Sequence, residues 1–433
     1  MTLDQPMTFS SLAAEPQGST TEHKPLTTDV AIVGGGIVGL TLACALQDSG
    51  LSVTVIEAQT WAAAANRQRA YALSLLSGRI FAGLGLWEQI SPQITHFQRV
   101  RLSDADHPHT VDFLPTDLRT SAVYYAAEHT VLMQALQQRV RQCRNLTVLC
   151  SAQLAAIRYQ GDQVVLEVSD RDRTYQLTAK LLVAADGARS QIRQQAGIGT
   201  QGWKYWQSCI TAILAPEKHH QNTAYERFWP SGPFAILPLA DGRCQIVWTA
   251  PHAEAHAMLA LPQPQFMAEL NRRYGTQMGR LELVSEPLLF PVQLMQSQCY
   301  VKPRLALVGD AAHCCHPVGG QGLNMGIRDA AALAQVLQMA QRRGHDIGSL
   351  AVLKRYQRWR RLENFVVLGF TDLLNRAFST QWQPWVWLRR RGLWLLQHVR
   401  PMKQLALRLM TGLLGQQPAI ARKPLGKDDT PIT

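Results

Sequence analysis

The sequence predicts an α/β fold in which a parallel-sheet lobe is assembled from discontinuous segments, an antiparallel β-sheet lobe is threaded between them, and the C-terminus is helical. Three observations carry this reading. An apolar strand, Asp29–Val33, runs into Gly34-x-Gly36-x-x-Gly39 and a helix-like stretch, and a second strand then ends on Glu57. Two further strands end on acidic-glycine pairs far along the chain, Asp186-Gly187 and Gly309-Asp310, with strand-like segments between them. From Leu350 onward the pattern is helical, broken at Pro384 and Pro401.

At 433 residues the chain exceeds the usual size of a single core, so two lobes are expected. An apolar share of 46% against 17% charged residues is that of a globular protein. The first two dozen residues are rich in Ser, Thr, Pro and Gln; with neither a basic start nor an apolar run, they are expected to be a flexible tail rather than an export signal. Eight cysteines without a Cys-x-x-Cys pair fit neither a zinc site nor a disulfide framework. No metal is expected, and a reducing, cytoplasmic setting is. The vicinal Cys314 and Cys315 are read as apolar filler. The net charge of +12 implies an anionic partner. Its basic residues concentrate late and are interleaved with Trp and Leu, which favours an acidic membrane surface over nucleic acid.

In the first motif one glycine permits the tight turn, one lets the backbone approach a pyrophosphate, and one allows the helix to pack closely on the strand. The helix beginning near Ile37 directs free N–H groups and a partial positive charge at that phosphate. Glu57, about 20 residues along, is placed to accept hydrogen bonds from ribose hydroxyls and disfavours a 2′-phosphate. A lone Gly-x-Gly-x-x-Gly often marks only close helix packing. Here strand, loop, helix, strand and acidic end occur in order, so a Rossmann-like dinucleotide lobe is expected, with the dinucleotide still open.

The strand Leu181–Ala185 leads to Asp186-Gly187 and a helix start with Arg189, Ser190 and Arg193; the strand Leu305–Val308 leads to Gly309 and Asp310. Each acidic residue stands at a strand end, where open α/β sheets bind ligands. This order of motifs resembles the flavoprotein hydroxylases of the aromatic-ring monooxygenase class. Within it, HPVGGQGLNMGIRDA, residues 316–330, closely resembles the signature of the ubiquinone-biosynthesis hydroxylase (UbiH) family. The likeness runs from Asp29 to Gly415, with weaker echoes at Arg69–Leu73 and at Glu128–Leu136, where the family often has Asn or Arg in place of His129. It implies a glutathione-reductase-like lobe that wraps FAD. The residues matched to FAD contacts are Gly34, Gly36, Gly39, Glu57, Arg69, Asp186, Gly309, Asp310, Gly319, Gly320, Gly322, Leu323 and Asn324. Arg69 would approach the flavin and Asp310 its ribityl or pyrophosphate portion.

Given that ligand, residue types supply a reason for the loop. Gly319, Gly320, Gly322 and Gly326 remove side chains where an isoalloxazine ring must lie on the chain, and a helix starting near Leu323 favours an anionic reduced flavin. Pro317 fixes a rigid bend beside the ring and has no N–H. Pro317 and His316 are the candidate catalytic residues. The competing reading of His316, and of His313, is local hydrogen bonding that shapes the loop. Asp329 is expected to cap or to pair with Arg328.

Phe234–Trp248 reads as a hairpin around Asp241-Gly242, and further strands are expected at FQRVRLSDAD, TVDFL, YERFWP and LLFPVQL. Phe228, Trp229, Phe234, Leu237 and Phe290 are read as core before pocket lining. Beyond Trp382 no uncharged run reaches the ~20 residues of a spanning helix. Arg389, Arg390 and Arg391 beside tryptophans suit a headgroup region, with Leu393, Leu395, Leu396, Leu405 and Leu409 toward the acyl boundary; the alternative is an amphipathic helix closing the core. The division is a tail at 1–28, the FAD lobe at 29–95, 126–199 and 301–345, the substrate lobe at 96–125 and 200–300, a helical region at 346–415 and a tail at 416–433. The resemblance implies NAD(P)H- and O2-dependent hydroxylation of a prenylated phenol or quinol precursor. It also implies a protein that is cytoplasmic or peripheral on the inner face of a membrane, with a quinone-biosynthesis complex as a candidate partner. The rivals are an isoprenoid or quinone reductase and a non-catalytic flavoprotein scaffold.

Overall fold

The computed structural model describes residues 26–105, 107–170 and 173–422. Five parallel strands, Leu26–Val33, Val53–Glu57, Leu146–Cys150, Arg173–Ala184 and Leu305–Leu307, form the core of an eight-stranded sheet whose other three strands are antiparallel. Numbered along the chain they lie in the spatial order 3-2-1-4-5. This is the doubly-wound order, so the topological switch point lies between the carboxyl ends of Leu26–Val33 and Arg173–Ala184. Burial explains the composition: Val30, Ala31, Ile32, Leu181, Leu182 and Val183 are all inaccessible, as strands covered on both faces must be. The helices Ile37–Ala45, His129–Gln142 and Gln321–Arg342 pack into the same core.

The second sheet is largely antiparallel and is built from Arg99–Asp104, Thr110–Phe113, Thr200–Pro216, Thr223–Trp229, Gly232–Pro238, Cys244–Pro251 and Leu288–Ser297, with shorter edge strands. The expected hairpin is present, and Gly242 in its turn has φ +83°. Its two faces differ. Ile210, Phe234, Ile236, Ile246 and Trp248 pack against the helix Gln263–Tyr274, whereas Ala224, Phe228 and Leu237 face the glycine loop and the C-terminal helices. Phe228 and Phe234 are therefore core residues, and Trp229 packs half-buried against the helix-facing cluster. Leu237 and Phe290 lie on the loop-facing side and are half-buried.

The helix Leu350–Ser379 is followed by Gln383–His398 and Arg400–Met410, which have Pro384 and Pro401 in their first turns, where a missing N–H costs little. They close the loop-facing side with Phe378, Leu393 and Leu407. Leu393 is thus interior. Arg389 is interior too: its guanidinium donates to Asp104 at 2.8 and 3.1 Å and to three backbone carbonyls, so it does not face a headgroup region. Trp387, Leu388, Trp394, Leu395 and Leu405 remain exposed on the other side. No helix among the described residues is long and apolar enough to cross a membrane.

The residues at the inner ends of both expected tails belong to the fold. Residues 26–28 already pair with Leu177–Ala179. Ala419–Arg422 packs on the helix Leu75–Gly83, where Ile420 meets Gly83. Residues 1–25 and 423–433 lie outside the described residues.

Candidate active site

At the switch point the three glycines have separate structural duties. Gly34 sits at φ +110° against the Ala185 carbonyl, where a Cβ would collide. On Gly39 a Cβ would collide with the Gly34 carbonyl oxygen, so close helix-to-strand packing requires glycine there. Gly36 is different: a Cβ would meet nothing within 4 Å, so its backbone is open to an approaching group. Glu57 is buried. One of its carboxylate oxygens accepts from the Gly35 N–H at 2.7 Å and the other from the Gln59 N–H at 2.8 Å, which fixes the side chain and leaves lone pairs for a ligand hydroxyl.

The other two strand ends converge on the same crevice. Asp186 accepts weakly from the Ile192 N–H at 3.4 Å, and its second oxygen is buried without a partner. Arg193 donates to the Ala311 carbonyl at 2.8 Å and to the Ala188 carbonyl at 2.9 Å, tying the two strand-end loops together. Asp310 is exposed to the cleft, while Gly309 before it has φ +60° and donates to Asp329 at 3.1 Å.

Asp329 is inaccessible and does not pair with Arg328, contrary to the sequence reading. It accepts from His313 Nε2 at 2.5 Å, Arg360 Nε at 2.8 Å and Asn364 Nδ2 at 3.0 Å as well as from Gly309. Burial would raise its carboxyl, but His313 and Arg360 outweigh burial and hold it at about 2. Arg328 instead bonds the Asn324 carbonyl and Gln321. His313 is committed to this cluster.

Gly319 and Gly320 both adopt left-handed backbone, φ +64° and +61°, and the helix Gln321–Arg342 starts immediately after them. The first N–H groups of that helix, around Gly322 and Leu323, lack intrahelical acceptors. Beside Gly322 the space is open except for the Cys315 sulfur at 3.8 Å. Gly326 is not part of the open loop; it lets the helix cross Val38 and Gly309 closely. The Asn324 side chain is also fully employed within the chain. It accepts from the Ser74 N–H and Ser77 Oγ at 2.8 and 2.7 Å and donates to the Ala72 and Gly320 carbonyls at 2.8 and 2.7 Å. Its side chain clamps the loop rather than offering a free donor to a ligand.

Pro317 has φ −66°, and its carbonyl accepts from Gly320. His316 is inaccessible; burial pushes its imidazole down to about 3, so the ring is neutral. The Val318 N–H points at its Nδ1 at 3.4 Å, and Nε2 faces Gln207 Oε1 at 3.3 Å. That pairing fits the tautomer protonated on Nε2.

The antiparallel sheet is joined to this loop by contacts the sequence does not reveal. Gln245 donates to the Ala70 carbonyl at 2.9 Å and accepts from the Ala70 N–H at 2.6 Å, pairing with the Ala70–Leu73 strand as another strand would. Arg69, just before it, is exposed and lies 5.1 Å from the Phe290 ring centroid and 5.3 Å from that of Tyr71. His129 bonds the Ala64 carbonyl at 2.9 Å and the Tyr71 hydroxyl at 3.1 Å, a local structural role. From the facing sheet Glu226 reaches the backbone N–H of Gly319, and burial lifts its carboxyl to about 8.

Residues 27–364 match the family described as FAD binding domain. A protein of Synechocystis with no assigned function is 53% identical over 393 residues, covering 91% of this chain and 95% of that one. The ubiquinone hydroxylase UbiL of Rhodospirillum rubrum is 37% identical over 418 residues, 95% of this chain and 96% of its own. The chain belongs to the FAD-dependent hydroxylases of the UbiH family. Its fold is that of p-nitrophenol 4-monooxygenase from Pseudomonas putida, with a TM-score of 0.76 over 90% of this chain and 99% of that one at 20% identity.

This UbiH-family chain is an FAD-dependent monooxygenase, and its crevice suits that cofactor on structural grounds. An open glycine backbone, a fixed acidic strand end, an orphaned carboxylate oxygen at Asp186 and an unblocked helix N-terminus are arranged along one cleft. Sequence reading missed Gln245, Arg360, Asn364 and Glu226. None carries a motif; each acquires its role only from contacts more than thirty residues distant along the chain.

Proposed function

We propose that the protein uses NAD(P)H and O2 to hydroxylate the ring of a prenylated phenol or quinol precursor in the biosynthesis of ubiquinone or a related quinone. The observation that carries this reading is the meeting of the Gly309-Asp310 strand end, the glycine loop and the half-buried face of the antiparallel sheet in one cleft. The likeness to the ubiquinone hydroxylase of Rhodospirillum rubrum supports the substrate class.

In this reading Gly34, Gly36, Gly39 and Glu57 hold the adenosine and pyrophosphate half of FAD, while Arg69, Asp186, Gly309 and Asp310 hold the ribityl portion and its phosphates. Backbone groups of Gly319, Gly320, Gly322 and Leu323 meet the flavin ring, with Asn324 bracing the loop and Pro317 shaping its edge. His316, neutral and buried, supports Pro317 rather than exchanging protons. The lobe boundaries drawn from the sequence, with residues 26–28 and 419–422 reassigned to the fold, belong to the same proposal. When bound, FAD supplies two-electron reduction by NAD(P)H and activation of O2. The chain's task is to position an electron-rich ring, exclude water and stabilise negative charge through the helix N-terminus.

Peripheral attachment to an anionic membrane is part of the proposal. Trp387, Leu388, Trp394, Leu395 and Leu405 form the contact, so that a long prenyl tail stays in lipid while its head group enters the cleft. Assembly into a quinone-biosynthesis complex is compatible with the same surface.

The deciding experiment supplies holoenzyme with NAD(P)H, ¹⁸O2 and a short-chain prenyl phenol. One labelled oxygen in the product hydroxyl is expected. Label arriving from water, or equal turnover under strict anaerobiosis with an artificial acceptor, rejects hydroxylation in favour of a reductase. Loss of substrate-stimulated NAD(P)H oxidation altogether favours a scaffold.

A further inference from the structure

Glu226 lies in the middle of the strand Thr223–Trp229, on the face that turns toward the glycine loop. Its same-face neighbours, Ala224 and Phe228, are buried, and Phe228 stacks on Phe378 with ring centroids 4.1 Å apart. Leu102 and Ala235 stand beside it in register on the two adjoining strands. The cations of those strands, Arg99, Arg101 and Arg227, register on the opposite face with Thr223, Tyr225 and Phe234, while Asp104, opposite Phe228 on the Glu226 face, is taken by Arg389 and Arg390. On the helix Leu350–Ser379, Asp372 and Arg376 pair with each other, and Asp372 also takes the Tyr205 hydroxyl. What reaches the Glu226 carboxyl is the backbone N–H of Gly319. Among the described residues no cation pairs with it.

A half-buried, unpaired carboxyl in an otherwise apolar wall is costly and calls for a partner. The buried Cys209 thiol feels the charges of both Glu226 and Arg69. Phe290, paired with Cys209 across the strands and covered by the Arg69 guanidinium, and Leu237 supply apolar surface on the same face.

We propose that Glu226 receives the ring hydroxyl of the substrate and that its carboxylate takes the phenolic proton as oxygen is transferred. This rests on the hydroxylase reading above. The substrate O–H bond breaks, the proton passes to a Glu226 oxygen, and the electron pair stays on the ring oxygen, enriching the neighbouring ring carbon. That carbon accepts one atom of O2; the other leaves as water, with the hydride of NAD(P)H supplying two electrons and one proton and solvent supplying the second proton. The ring C–H proton then passes, by way of solvent, to the newly added oxygen, and Glu226 returns its proton to the original ring oxygen. Glu226 retains some accessible surface, yet a dense protein shell surrounds it, and burial lifts its carboxyl to about 8. The basic form is therefore gained as pH rises through that value.

The test compares pH profiles of kcat/KM for FAD-loaded wild type, Glu226→Gln and Glu226→Asp with 2-geranylphenol. Wild type should rise with a midpoint near 8. Glu226→Gln should lose roughly 10²–10⁴-fold and the rising limb with it, and Glu226→Asp should keep the limb at reduced height. An unchanged limb in Glu226→Gln overturns the proposal, because a merely structural role would not hold it there. Should Glu226→Gln fail to fold, wild type alone decides. Binding of 2-geranylphenol should depend on pH around 8, whereas its methyl ether, which has no proton to give, should bind independently of pH. Identical pH dependence for the two ligands overturns the proposal. If wild type hydroxylates no prenyl phenol at all, the functional reading fails instead.

Discussion

Replacing Asp329 by Asn tests whether the strand end carrying Asp310 is held by charge. Four donors converge on this inaccessible carboxylate: the Gly309 N–H, His313 Nε2, Arg360 Nε and Asn364 Nδ2, at 3.1, 2.5, 2.8 and 3.0 Å. An amide places an NH2 group where one oxygen stood, so two of those donors then face a donor, whichever way it is turned. Arg360, 1% exposed, keeps Glu363 as its one paired carboxylate among the described residues. Removing one partner of a buried ion pair costs about 3–5 kcal/mol. With an unfolding entropy of about 2.1 cal/mol/K per residue over 433 residues, that corresponds to a fall in Tm of about 3–5 °C. With the NH2 turned toward Gly309 and His313, so that the remaining oxygen still meets Arg360, Gly309 loses its anchor and flavin retained per protein should drop. Scanning calorimetry with and without saturating FAD, together with flavin absorbance after gel filtration, reads both effects. A Tm within about 1 °C of wild type and undiminished flavin would refute the reasoning, since shifts this small correspond to under about 1 kcal/mol. The sign with pH follows from linkage. Asp329 is held at about 2, below its unfolded value of about 3.9, so its stabilisation is complete above the unfolded value and is lost as pH falls toward 2. Acid unfolding should therefore be less steep in the Asn variant across that window.

Gly36→Ala should leave the Tm of flavin-free protein unchanged but weaken FAD binding, because its Cβ meets no protein atom; Gly39→Ala should lose about 1–3 kcal/mol even without FAD, from overlap with the Gly34 carbonyl. Chemical denaturation and flavin titration distinguish them, and equal stability losses in both variants would contradict the division of duties. Gln245→Ala should cost about 1–3 kcal/mol by stranding the Ala70 N–H and carbonyl, and should raise H2O2 released per NAD(P)H as the Ala70–Leu73 strand loosens over the cleft. Unaltered coupling would show that this strand does not help exclude water. The double substitution Trp387→Ser and Trp394→Ser should lower co-sedimentation with anionic vesicles at low salt while leaving Tm near that of wild type. Wild-type protein that stays in the supernatant under those conditions ends the membrane proposal.

The sequence by itself determined the parts of the protein that depend on local spacing. Gly34, Gly36 and Gly39 between two apolar strands, and acidic residues at the ends of later strands, place a dinucleotide lobe because turn geometry and helix starts are properties of neighbouring residues. The loop at residues 316–330 was legible for the same reason: its left-handed glycines and the helix that follows are encoded within a few positions. Proximity across the fold is a different kind of information. Asp329 sits one residue from Arg328, yet its side chain turns inward to Arg360 and His313, while Arg328 turns to Gln321, because adjacent helical positions point about 100° apart. Arg389 looked like part of a surface basic run until the fold placed it against Asp104, far away in sequence. Asn324 sits inside the signature, but only the packed Ala70–Leu73 strand and the helix Leu75–Gly83 consume all its hydrogen bonds. Glu226 is one carboxylate among many in the sequence; what singles it out is a strand register that turns it toward the glycine loop and to the face opposite Arg99, Arg101 and Arg227, a consequence of tertiary packing alone.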